Sequence, residues 1–336
     1  MGYRIILIFM IVSGTNVKAQ LGGQTSYDFL NIPVHARLAA LGGVNVSHYN
    51  KDQNFFFTNP ALVSDSLAGW ASASYLFYVA DIGQASFAYT FNTKKAGTFS
   101  VGVQHLNYGE LEGFDATGLP TGTFRSGETA VIVSKSHQVS NFRLGVNSKW
   151  VFSNLAGFRS AAWLFDLGGV FVHPSQDLTV GLVIKNFGFI LSDYSDTSES
   201  TLPFDVQAGA TFKPEHMPLR FSFTAHNLVR PGKSYDNPDD ADKPGTASKV
   251  LSHFNLGAEI LLHRNVHILV GYNFLRQQEL KVESGGGGGG FSIGVAANIR
   301  SVNLVVSQSR YSIGQANYTF TLSANIEQMI FKKRVL

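Results

Sequence analysis

From residue 69 onward the chain alternates apolar and polar positions with a period of two. The last such stretch is the cleanest, with Tyr318, Phe320, Leu322, Ala324 and Ile326 alternating with Thr319, Thr321, Ser323 and Asn325. A strand with this pattern has one apolar and one polar face. Fourteen such stretches can be marked: 69–78, 84–91, 98–108, 128–137, 142–152, 160–173, 178–187, 203–212, 219–228, 252–262, 266–274, 291–299, 302–308 and 317–326. After the even-numbered strands the connections are short, at 92–97, 138–141, 174–177, 213–218, 263–265 and 300–301. After the odd-numbered ones they include 109–127, 188–202, 229–251 and 275–290, with 79–83 and 309–316 more modest. An even strand count with tight turns at one end and long loops at the other predicts an all-β fold, a 14-stranded antiparallel transmembrane β-barrel. A soluble sandwich would share the alternation but has no reason to sort its loops by end.

Charges within the strands support closure. Arg143 and Lys149 stand opposite Phe142, Leu144, Val146 and Trp150; Asp166 opposes Trp163, Phe165 and Leu167; Glu259 opposes Phe254, Leu256 and Ile260. Lys185, Asp205, Arg220 and His226 also fall on the polar faces of their strands. On a lipid face an Arg or Lys would cost about 2–4 kcal/mol at the midplane, whereas in a lumen it is solvated and can pair. Strand 128–137 carries Val or Ile on both faces, so its inward side is left unassigned. Glycines inside strands mark curvature or contact with something inside the ring.

Composition narrows the class. The chain has 336 residues, 44% hydrophobic and 15% charged, with 34 Gly, 27 Phe and 12 Tyr. Average soluble proteins carry about 25% charged residues, so polarity here comes from Ser, Thr, Asn and Gln, the lining expected of a wet cavity. A net charge of +3, with no basic run interleaved with aromatics, gives no nucleic-acid signal. With no cysteine, disulfides and thiolate chemistry are excluded. Arg4, the apolar run 5–12 and the small residue Ala19 read as a signal peptide, 1–19, cut before Gln20.

Catalytic and metal signatures are missing. The ten histidines show no H-E-x-x-H or comparable spacing, and neither a G-x-S-x-G elbow nor a G-x-x-x-x-G-K phosphate loop occurs. Asp166 and Glu259 could in principle meet across a lumen as an acid and a base, but solvated lumen charge is the simpler reading. The glycine run 285–290 reads as a loop tip, and the Asp- and Pro-rich loop 230–249 as solvated, without EF-hand spacing. No cofactor is implied.

Between leader and first strand lies a Gly-rich, polar segment, 33–62, with no core of its own. Its ARLAALGG at 36–43, followed by NPAL at 59–62 and then by strands, resembles the N-terminal plug of the FadL-like outer-membrane barrels. GQTSYDFLNIP at 23–33, NYG at 107–109, FDATG at 114–118, LPF at 202–204 and FSFTAHNL at 221–228 are similar to one branch of that family, the PorQ proteins of the type IX secretion system of Bacteroidota. The resemblance implies a signal peptide (1–19), a plug inside the lumen (20–68), a transmembrane barrel (69–326) and a basic C-terminal tail (327–336). It also implies an integral outer-membrane location with extracellular loops and periplasmic turns. The implied role is non-enzymatic: holding PorZ at the cell surface through the long loops, with PorU and PorV in the same complex, while cargo is attached to anionic lipopolysaccharide. The founding FadL group implies an alternative, transport of long-chain fatty acids or other hydrophobic small molecules. Within the plug, Ala36, Ala39, Ala40, Gly42 and Gly43 are small enough to lie against the wall, and Arg37 is expected to meet Asp166, Asp205 or Glu259. Asn59-Pro60 is expected to redirect the chain into the first strand. Many barrels end on an aromatic residue, and the tail 327–336 departs from that pattern.

Overall fold

The computed structural model describes residues 25–49, 51–93, 95–115, 117–230, 245–280, 289–310 and 315–331. The expected signal peptide, most of loop 230–249, the glycines 285–288 and the end of the basic tail lie outside them. Fourteen antiparallel strands close into a single barrel in which each pairs with its sequence neighbours and the first pairs with the last. They are β1 (Trp70–Phe77), β2 (Gly83–Thr93), β3 (Gly97–Phe114), β4 (Pro120–Val139), β5 (Phe142–Leu155), β6 (Phe158–Val172) and β7 (Asp177–Ser192). The second half is β8 (Asp205–Lys213), β9 (Leu219–Ala225), β10 (Phe254–His263), β11 (Val266–Asn273), β12 (Phe291–Ile299), β13 (Val302–Ser309) and β14 (Asn317–Asn325). The all-β, 14-strand expectation is borne out. Short helices are α1 (Ala36–Ala40) before the barrel, α2 (Thr246–Leu251) and α3 (Phe274–Glu279) in long connections, and α4 (Ile326–Phe331) after β14.

Alternation sets the faces. In β14, Thr319, Thr321 and Ser323 are buried inward while Tyr318, Phe320 and Leu322 stand outward, 42–53% exposed. The outer surface repeats this with Tyr75, Phe87, Leu144, Trp150, Leu182 and Phe221, an apolar band of the kind that faces hydrocarbon. For β4 the ambiguity is resolved: Glu128, Ala130, Ile132, Ser134 and Ser136 point inward and Val131 and Val133 outward. The valines and the isoleucine share one strand because its inner face meets apolar groups rather than water.

Two expectations about the long-connection end need correction. Residues 109–127 are not an open loop: β3 and β4 continue pairing from Glu110–Arg125 through Phe114–Pro120, giving a hairpin exposed on both faces that projects past the barrel. Likewise β7 runs on to Ser192 against β6, shortening the expected loop 188–202.

The interior is filled. Residues 25–49 and 51–69 run inside the ring from the long-connection end, where the backbone N–H of Ser26 donates to Thr201 O at 2.8 Å, to the short-turn end, where Asp65 meets Arg143. One apolar cluster joins Phe29, Leu30, Val34, Phe56 and Phe57 to wall residues Leu106, Ile132, Val151 and Leu164. A second joins Leu38, Leu41, Phe55 and Leu62 to Val170, Leu269 and Val305. The expected wet lumen is therefore a packed core at these levels. Inward Ile132, Leu164 and Leu269 exist because a second layer covers them.

Candidate functional site

An irregular segment inside a barrel must satisfy its backbone polar groups without water. The inward Ser, Thr, Asn and Gln side chains do this. Gln104 Nε2 donates to Phe29 O at 2.8 Å, Ser86 Oγ to Val34 O at 2.7 Å and Ser292 Oγ to Ala40 O at 2.9 Å. Asn255 Nδ2 donates to Leu41 O at 2.8 Å and Val44 O at 2.7 Å, and Asn273 Nδ2 to Gly42 O at 2.9 Å. These carbonyls cluster because α1 ends there: Gly43 N–H returns to Leu38 O, and Gly42 and Gly43 have φ of +91° and +87°, the left-handed turn that stops a helix. The polar wall residues, read from sequence as lining for water, are instead ligands for the segment's carbonyls.

Buried charges add the strongest ties. Arg37 on α1 is 3% exposed; its Nη1 donates to Glu259 on β10 and its Nε lies 3.4 Å from Asp52 Oδ2. Glu259, 1% exposed, also accepts from Arg220 on β9, whose Nη2 is 3.5 Å from Asp177 Oδ2. Of the three partners expected for Arg37, the structure supplies Glu259; Asp166 and Asp205 lie elsewhere. His48 Nε2 is 3.7 Å from Glu259 Oε1. His35 and His48 both pack against the Phe55 ring, each 4.8 Å from its centroid. Burial pushes the His35 imidazole down to about 4, against the pull of Asp52, and His48 down to about 3, against that of Glu259, so both rings are neutral at neutral pH.

A second buried group sits on β5–β7. Lys149 Nζ is 2.7 Å from Asp166 Oδ2 and 2.8 Å from Asn186 Oδ1. Asn147 Nδ2 donates to Asp166 at 2.9 Å and to Phe56 O at 2.8 Å. Asn186, at φ +56°, marks a register shift in the β6–β7 ladder, and this turns its own N–H toward Asp166 Oδ1 at 2.9 Å. Asp166 and Glu259 thus belong to separate ion-pair groups, and the acid–base pairing weighed from sequence has no geometry. At the short-turn end Arg143 Nε donates to Val63 O at 2.7 Å and Nη2 lies 3.3 Å from Asp65. Lys185 and Asp205 face each other across β7 and β8, at a cavity described below.

Asn59 caps the short turn Pro60–Leu62 by accepting from Ala61 N–H at 3.0 Å, and its Nδ2 donates to Val46 O at 3.0 Å. Asn59-Pro60 does not lead directly into β1; a further turn, Asp65–Leu67, intervenes. Asp52, His48 and Asn255 were not singled out from sequence. Asp52 and His48 lie in a stretch without periodicity, and Asn255 looked like any other polar wall position.

Solved structures offer comparisons. The chain is similar to the TodX monoaromatic hydrocarbon channel (TM-score 0.53, 11% identity, covering 88% of this chain and 97% of that one). It also aligns with the CymD monoaromatic hydrocarbon channel (TM-score 0.47, 11% identity, 87% and 96%). A Pseudomonas aeruginosa FadL homologue aligns at TM-score 0.44 and 10% identity, covering 87% and 98%. No protein-family model and no curated protein matches the sequence. The likeness to TodX speaks for the fold alone, and on the fold it agrees with the closed 14-strand barrel found here.

Proposed function

We propose that the chain is a non-enzymatic integral outer-membrane barrel whose residues 20–68 form a fixed plug and whose long-connection end holds a partner at the cell surface. In the PorQ manner that partner is PorZ, with PorU and PorV in the same complex, within outer-membrane lipid and lipopolysaccharide. The observation that carries this reading is the anchoring of the interior segment. Arg37, Glu259 and Arg220 tie it to β9 and β10, Asn255 and Asn273 to the neighbouring wall, and Arg143 and Asp65 close the short-turn end. A segment so held suits a rigid support better than a moving gate. The projecting β3–β4 hairpin offers a rigid docking element on the outer side. The test is co-purification of PorZ from native outer membranes carrying deletions in 109–127, 188–202 or 229–251. Loss of PorZ from at least one deletion that still forms a barrel is expected, and full retention in all three rejects the anchoring mechanism.

A second reading, a channel for hydrophobic small molecules, draws support from the apolar side of a cavity at the long-connection end, which Phe29, Leu30, Ile32 and Val34 line. Uptake of fatty acids or toluene that is indifferent to loss of the gene counts against it.

A further inference from the structure

That cavity, about 500 Å³, lies between the first turns of the interior segment and the wall. This volume suits a small organic ligand. Its two sides differ in chemistry: the segment side is largely apolar, and the β7–β9 side carries Lys185, Asp205, Gln207 and Asn227. Lys185 is only 7% exposed, yet among the described residues its ammonium makes no hydrogen bond and no ion pair. Lys149, which also lines the cavity, is by contrast paired with Asp166 and hydrogen-bonded to Asn186. Directly across the β7–β8 ladder from Lys185 stands Asp205. Its Oδ2 accepts from Gln207 Nε2 at 2.7 Å, while its Oδ1 is buried without a hydrogen-bond partner. A lysine ammonium and a buried carboxylate oxygen without a protein hydrogen-bond partner, set on one rung of the ladder at the cavity wall, present a charge and an acceptor together to a ligand that matches both.

The pair specifies that ligand. It must bring an anionic group to Lys185 and a hydrogen-bond donor to Asp205. An alkyl carboxylate answers the first and leaves Asp205 facing hydrocarbon; an aromatic hydrocarbon answers neither; a neutral sugar answers only the second. We propose that the cavity binds a sugar acid, a polyhydroxylated carboxylate of the uronic type, with its carboxylate on Lys185 Nζ and a ring hydroxyl donating to Asp205 Oδ1. The amides of Gln207 and Asn227 take further hydroxyls. Exposed Asp28 and Asn31 at the cavity edge place the site within reach of solvent at the long-connection end. The inference is independent of the anchoring reading, because a barrel that has lost its partner through a loop deletion still binds the acid.

The experiment is calorimetric titration of the purified full-length barrel in detergent with glucuronate, glucose, laurate and chloride. Saturable binding of glucuronate is expected, with glucose and laurate weaker by about tenfold or more. Lys185→Met, which keeps the side-chain volume, and Asp205→Ala are each expected to weaken glucuronate by about tenfold or more. Folding of each variant is checked by heat-modifiable migration. Should a variant fail to fold, the ligand series on the unaltered barrel decides alone. Absence of saturable glucuronate binding, displacement by chloride alone, tighter binding of laurate, or an unchanged affinity in folded Lys185→Met overturns the proposal.

Discussion

At the residue scale the molecule turns on carboxylates that are shared rather than paired. Glu259 serves Arg37 from the segment and Arg220 from the wall, so removing Arg37 leaves Glu259 with Arg220 but takes from the buried Asp52 carboxylate the guanidinium beside its Oδ2. Breaking a buried pair this way costs about 3–5 kcal/mol. Arg37→Ala is accordingly expected to lower the unfolding free energy obtained from urea titration by an amount in that range, and a value within experimental error of the unaltered protein would mean that Arg37 does not hold the segment. The histidines give a second prediction. His35 and His48 are held neutral inside, at about 4 and about 3 against an ordinary 6.5. Between these values the unfolded chain binds protons that the folded one does not, so stability rises with pH. Their contribution is fully present above pH 6.5 and is lost as pH falls toward 4 and then 3, by up to about 1.4 kcal/mol per pH unit for each ring. His35 faces Asp52 and Arg37, while His48 faces Glu259, Arg220, Arg37 and Lys51. His35→Asn keeps the N-cap that His35 supplies to Leu38 and is expected to flatten the slope between pH 6.5 and 4 in a thermal melt series.

At the scale of elements, the wall is shaped to the segment by glycines. A Cβ on Gly168 would fall 2.0 Å from Asn59 Oδ1, and one on Gly181 would fall 2.0 Å from Val46 O. On Gly169, whose methyl would point outward, the nearest atom is Leu144 Cδ2 at 3.7 Å. Gly168→Ala is expected to cost about 1–3 kcal/mol by displacing the turn at Asn59, whereas Gly169→Ala should be close to neutral; equal effects of these adjacent substitutions would show that the contact is unimportant. The strands themselves were legible in the sequence, since alternation and turn residues act locally: β12 agrees residue for residue, and most other ends fall within a few positions. The extended hairpin of β3 and β4 was not, because Gly109, Gly113, Gly118 and Gly122 read as loop, although the ladder resumes after an irregularity at Gly109 and pairs Gly113 with Gly122 before the turn that holds Gly118. The segment's seat was partly legible. Small residues at 36–43 announced close packing, but which wall position each would touch depends on barrel register, a property of all fourteen strands together.

For the whole molecule, the balance between polar wall and apolar filling decides what the ring can do. The inner surface outside the two apolar clusters carries Ser, Thr, Asn, Gln and charged side chains, so emptying the ring would leave a hydrophilic bore. Deletion of 33–62 is expected to turn a quiet barrel into one with steady ion conductance in planar bilayers. A deletion protein that folds but does not conduct would place the barrier in the long connections instead.

The pairing of β1 with β14 carries a consequence in time as well as in space. These two strands, Trp70–Phe77 and Asn317–Asn325, are the first and last of the ring to be synthesised, so the seam zips only after every other strand exists. The segment is tethered to the leading edge of that seam. It is therefore in place to be lodged before closure, and the ring can assemble around its own filling as around a mandrel.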